Sequence, residues 1–189
     1  MCGIGGFVDY ERDARTFRAT AQRMKRTLTP RGPDAEGDYL DPDALLVHRR
    51  LIVIDPEGGC QPMYSPDGNT ILIYNGELYN TEEIRRELLA HGHRFTGHSD
   101  TEVLLHAFLE WDTDAFARLN GIFAFAILQK KERRLVLCRD RLGVKPLFVA
   151  RLRDGIVFGS TIGAVLCHPA VEPEVDEDGL RAVLLLGPA

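Results

Sequence analysis

The chain has 189 residues, 44% of them hydrophobic and 27% charged, with a net charge of −5. That is a globular balance rather than a disordered or fibrous one, and at about 150 residues per domain it allows one large domain or two small ones. The composition predicts a cytoplasmic chain with no nucleic-acid or membrane partner. It carries no long basic run, no apolar stretch near the roughly 20 residues of a membrane span, and charge too soon after the N-terminus for a signal-peptide core.

In chain order, Cys2 to Val8 is glycine-rich and apolar and predicts a strand. Phe17, Ala21, Met24 and Leu28 recur at helical spacing, and Pro30 stops that helix. A loop at 31–37 leads to a hairpin, Asp38 to Leu40 and Ala44 to His48, around Asp41-Pro42-Asp43. Arg50 to Ile54 continues as an apolar strand, 55–69 reads as a loop, and Thr70 to Tyr74 as a further strand. Two helices follow. Asn80 with Glu83, and Ser99 with Glu102, each outline a capping box, and Gly92 ends the first helix. Strands return at 122–128, 135–138, 147–150 and 156–158, and Asp176 caps a last helix over 178–186. Strands, helices, then strands with hairpin-length connections predict an α+β fold of antiparallel sheets with segregated helices. The apolar end, Leu186-Gly187-Pro188-Ala189, is expected of a piece of something longer.

Four groups of residues offer chemistry. Cys2, Cys60, Cys138 and Cys167 show no metal or C-x-x-C spacing, so they predict free thiols, three of them mostly buried. Cys2 is distinguished by position. Removal of Met1 would place its α-amine beside its own thiol, and an N-terminal amine can serve as base for a nucleophile on the same residue. Asn75-Gly76 is a hairpin signal by itself. Here it leads into a helix instead, so a side-chain amide and a backbone N–H at a strand end would form an oxyanion hole. Arg49-Arg50, Glu77 and Asp100 would grip a zwitterion, guanidinium on carboxylate and carboxylates on ammonium. Neighbouring strand residues face opposite ways, so only one of the two arginines would take part. His48, His91, His93, His98 and His106 are expected to be solvated or satisfied, and no metal site is expected.

These segments together resemble a known family. M-C-G-I-G-G at 1–6, R-G-P-D at 31–34, H-R-R-L at 48–51, N-G-E-L-Y-N at 75–80, S-D-T-E at 99–102, L-N-G-I-F-A-F-A at 119–126 and R-D-R-L-G-V-K-P-L at 139–147 are similar to the glutaminase domain of class II glutamine amidotransferases, in the asparagine synthetase branch. They follow that family's order over nearly the whole chain. The resemblance implies one domain over residues 1–189 with the four-layer αββα sandwich of N-terminal-nucleophile hydrolases. It also implies hydrolysis of L-glutamine to glutamate and ammonia.

By motif, Cys2 matches the nucleophile and Asn75 with Gly76 the oxyanion hole. Arg50 matches the arginine on the substrate carboxylate, because it directly precedes Leu51. Glu77 and Asp100 match substrate-binding positions, and the backbone of Leu51, Ile52, Val53 and Ile54 lines the same site. The resemblance implies no cofactor for this half-reaction. ATP and magnesium would belong to a synthetase domain, in the same or a separate chain, that receives the ammonia; no ATP-pyrophosphatase loop occurs in these residues. A homodimer is compatible with it. Two departures stand out: Pro30 where the family often has His, and Arg49 where it commonly has a non-basic residue. Two other readings remain open, a non-catalytic scaffold domain and an N-terminal-nucleophile acylase acting on another amide.

Overall fold

The computed structural model describes residues 1–52 and 59–186. Two antiparallel sheets lie face to face. One has five strands: β1 (Gly3–Asp9), β2 (Ala35–Leu40), β3 (Ala44–Arg50), β8 (Phe148–Leu152) and β9 (Gly155–Gly159), in the order β2-β3-β1-β9-β8. The other has β4 (Met63–Tyr64), β5 (Thr70–Leu78), β6 (Gly121–Gln129) and β7 (Arg134–Arg139), in the order β4-β5-β6-β7. The helices are α1 (Arg18–Leu28), α2 (Thr81–Ala90), α3 (Asp100–Trp111), α4 (Ala115–Arg118), α5 (Ile162–Val165) and α6 (Glu177–Leu186).

Strand alternation separates three apolar layers. Ile4, Val8, Ala44, Leu46 and Phe158 face Ile71, Ile73, Ala124, Ala126 and Leu128 between the sheets. Phe7, Leu45, Val47 and Val157 point the other way, onto Ala21, Met24 and Leu28 of α1 and Ala164 of α5. Leu72, Phe123, Phe125 and Ile127 cover the far side of the second sheet, under Ile84 and Leu88 of α2 and Val103, Leu104 and Phe108 of α3. This is the expected αββα sandwich. Strands buried on both faces explain why β1, β3 and β5 read as near-continuous apolar runs.

The elements follow the sequence closely, with instructive exceptions. Ser99 caps α3, its Oγ accepting from Glu102 N at 3.3 Å, and Asp176 caps α6 through Gly179 N at 2.6 Å. Asn80 precedes α2 without capping it; its side chain accepts from Asn120 N and donates to Arg118 O instead. The predicted strand over 50–54 stops at Arg50, because β2 begins at Ala35 opposite Arg50 and offers no further partner. Ile52 N donates to the Asp34 carboxylate at 2.8 Å rather than to a strand; Val53 and Ile54 lie outside the described residues. Within the predicted loop, Met63–Tyr64 pairs with β5. Cys60 is exposed and Cys138 and Cys167 are half-buried, so the expectation of mostly buried thiols fails for them.

Candidate active site

Cys2, at the entrance to β1, opens onto a cavity of about 330 Å³ at one end of the sandwich. Its walls include Cys2, Arg50, Leu51, Asn75, Gly76, Glu77 and Asp100, which brings together seven of the ten residues singled out from the sequence. Ile52 does not line it, and 38% of that residue is exposed. Among the described residues, Gly59, Gln61, Tyr74, Ser99, Thr101 and Lys145 also line it beside Met1.

The register of the strands explains the convergence. Ile4 faces the inter-sheet layer and pairs with His48, so Cys2 and Arg50 lie on the inner side of their strands. On β5, Ile71 and Ile73 are inner residues, which puts Asn75 and Glu77 on that side too. Asn75 and Gly76, expected at a strand end after Tyr74, lie inside β5. They stay paired, opposite Ala124 and Phe123, and the strand runs on to Leu78. The pairing fixes both groups in place before any ligand arrives. Gly76 is required there: a Cβ would come within 2.6 Å of Ile122 O and 2.7 Å of the Tyr74 ring.

At the sulfur end the Cys2 thiol donates to Leu51 O at 3.8 Å, and Arg31 Nε donates to Cys2 O at 3.1 Å, tethering the N-terminus. Asn75 is 1% exposed, yet its Nδ2 has no hydrogen-bond partner among the described residues. A buried amide donor without an acceptor is costly, and such a group calls for an explanation. An acceptor that arrives with a ligand supplies one.

At the other end Asp100 begins α3. Its Oδ2 accepts from the Tyr74 hydroxyl at 2.8 Å and from Leu78 N at 3.2 Å. Burial raises the Asp100 pKa, and the Tyr74 and Leu78 donors work against that rise. The two arginines separate as strand alternation requires. Arg50 lines the cavity. Arg49 turns outward, donating to Gly32 O at 2.8 Å and Pro33 O at 3.2 Å and pairing with Glu36 at 2.5 Å. It thereby holds the 31–34 turn that carries Arg31. Glu36 and Asp38 also pair with Lys25 of α1 at 3.1 and 3.0 Å.

The histidines are mostly satisfied. Buried His48 meets Tyr74 O at 3.2 Å, and burial lowers its pKa to about 4. His91 and His93 share Glu110. His168, fully buried, accepts from Ala170 N at 3.3 Å, and its Nε2 lies 4.0 Å from Asp9 Oδ2 with no hydrogen-bond partner among the described residues. No cluster of metal-ligating side chains occurs among the described residues.

Gln61, Tyr74 and Lys145 were not legible as site residues. Lys145 lies in the R-D-R-L-G-V-K-P-L segment, and Tyr74 carries the alternation of a core strand. For Gln61 no local signal exists.

Residues 1–188 match the family model of the glutamine amidotransferase domain. The chain is 49% identical to glutamine-hydrolyzing asparagine synthetase 3 of Bacillus subtilis, over 100% of this chain and 31% of that protein. It is 37% identical to glutamine-hydrolyzing asparagine synthetase 1 of Arabidopsis thaliana, over 85% of this chain and 27% of that one. It thus spans about a third of the length of these relatives. Among solved structures, the glutamine phosphoribosylpyrophosphate amidotransferase of B. subtilis complexed with ADP and GMP superposes with a TM-score of 0.69 at 21% identity, over 86% of this chain and 42% of that one. An allosteric regulatory enzyme of purine biosynthesis gives 0.72 at 22%, over 88% and 43%. By that family match the chain belongs to the glutamine amidotransferase domain family, and its sandwich is the fold of N-terminal-nucleophile hydrolases.

Proposed function

We propose that this chain hydrolyses the side-chain amide of L-glutamine to glutamate and ammonia, as the ammonia-supplying part of an asparagine synthetase. The observation that carries the reading is the buried, unpartnered Asn75 Nδ2 in the cavity that Cys2 opens onto. Arg50 holds the substrate carboxylate, and Glu77 and Asp100 hold its ammonium. Leu51, whose carbonyl faces the Cys2 thiol, supplies backbone to the same site.

With Met1 removed, the Cys2 α-amine takes the thiol proton, directly or through a water. The sulfur attacks the amide carbon. Asn75 Nδ2 and Gly76 N–H take the oxyanion, and one such donor is typically worth about 3–4 kcal/mol. The tetrahedral adduct collapses, the C–N bond breaks, and the amine returns its proton to the leaving ammonia. Water then cleaves the thioester by the same route. Thiol, amine and oxyanion donors account for every step, so this half-reaction calls for no metal or cofactor; ATP and magnesium belong to the synthetase domain.

The loop before β8 supports a domain partner. Asp140 accepts from Leu142, Val144 and Lys145 N–H groups, which braces the loop, while Leu142 stays 89% exposed with Val144, Phe148 and Val149 half-exposed beside it. Exposed Leu142 and Val144, on a braced loop whose Lys145 lines the cavity, suit the domain that receives the ammonia. The test is ammonia release from L-glutamine by the chain lacking Met1, and its loss in Cys2→Ala with the fold retained. Release by Cys2→Ala at the wild-type rate would overturn the nucleophile assignment.

A further inference from the structure

Tyr74 lies on the outer face of β5, in the apolar layer with Leu72, Val103 and Phe123. A phenylalanine would fill that space as well. The hydroxyl adds nothing to such packing, and burying it without a partner would cost stability. Its partner is Asp100 Oδ2, at 2.8 Å.

The ring has little freedom to leave. It covers Gly76, whose missing Cβ would come within 2.7 Å of the Tyr74 ring. Its own backbone N–H donates to Gln61 Oε1 at 2.6 Å. Gln61 stands where β4, which pairs Met63 with Leu72, no longer reaches, so a side-chain amide prolongs the ladder beside the cavity. Gln61 Nε2 also reaches Thr101 Oγ1 at 3.4 Å, at the start of α3 next to Asp100. Glu77 shares the cavity with Asp100 and opposes its ionisation, as burial does.

We propose that Tyr74 is a positioning residue for substrate recognition: its hydroxyl grips Asp100 Oδ2 and so fixes the carboxylate in the orientation in which it meets the ammonium of an amino-acid substrate. This rests on the glutaminase reading above. Tyr74 touches no reacting atom and acts through Asp100, so its loss weakens binding rather than chemistry.

The experiment is a double-mutant cycle on the chain lacking Met1: wild type, Tyr74→Phe, Asp100→Asn and the pair. Tyr74→Phe keeps the ring and removes one hydrogen bond to a charged group, worth about tenfold in KM for L-glutamine, with kcat little altered. In the Asp100→Asn background the same change adds little, because the group it positions is gone. Calorimetric binding of L-glutamate gives the same cycle without turnover. A Tyr74→Phe enzyme with wild-type KM, or a tenfold effect that persists beside Asp100→Asn, overturns the inference alone. A wild-type chain that neither releases ammonia nor binds L-glutamate overturns the proposed function, and the inference with it.

Discussion

The two ends of the cavity are built on opposite rules. At the Asp100 end hydrogen bonds are already closed: Tyr74 and Leu78 N occupy Asp100 Oδ2, and Gln61 occupies Tyr74 N. At the sulfur end a donor is left open, Asn75 Nδ2, although the residue is almost wholly buried. Closed bonds orient groups that must recognise a substrate arriving with charges in place. On the proposed function, the open donor suits charge that develops only during reaction, when it contributes most to rate. Changes at the first end should appear in KM, and changes at the second in kcat.

Arg50→Ala carries the largest expected effect. On the proposed function it leaves the substrate carboxylate without its partner, a loss commonly of about 3–5 kcal/mol for a buried pair, and it should fall on KM. Arg49→Ala, one residue away, should raise KM much less, since Arg49 points to the Gly32 and Pro33 carbonyls and Glu36. Steady-state kinetics on both variants decide the matter, and a reversed order would refute the facing of the two arginines.

Asn75→Ala comes next. It should lower kcat by about 10²–10³ while KM for L-glutamine stays near wild type. An effect confined to KM would erase the distinction between the two ends.

A smaller effect concerns stability. His48 ties β3 to β5 behind the cavity, with a folded pKa of about 4 against an ordinary 6.5. The folded state therefore resists protonation that the unfolded state accepts. Nothing is lost above pH 6.5; stability falls as pH drops below it, and the loss is complete near pH 4. A depression of this size corresponds to about 3 kcal/mol. Denaturant unfolding at pH 7 and pH 4 should show this slope in the wild type and a shallower one in His48→Gln.

Legibility divided along similar lines. Strands buried on both faces, such as β3 and β5, announce themselves by apolar runs, and Ser99 and Asp176 announce their helices by local capping chemistry. Cys2, Asn75, Gly76 and the arginine pair carry their chemistry in residue type, so they could be singled out before any fold was known. What stayed hidden depends on distant segments meeting. Asn80 turned to Asn120 and Arg118 rather than to its own helix. Gln61 joins the site through Tyr74, 13 residues on, and Thr101, 40 residues on. The extent of β5 beyond Tyr74 was set by β6 pairing opposite it, which overrode the turn propensity of Asn75-Gly76.

The central claim is that the base is the α-amine of Cys2, and the most direct measurement is glutaminase activity of two preparations that differ only at the N-terminus. One begins at Cys2; the other keeps Met1, which lines the same cavity. Mass spectrometry confirms each end. Retention of Met1 turns the amine into a neutral amide that accepts no proton, so the account predicts ammonia release from the first preparation and none from the second, with both folded. Equal activity in the two would contradict it.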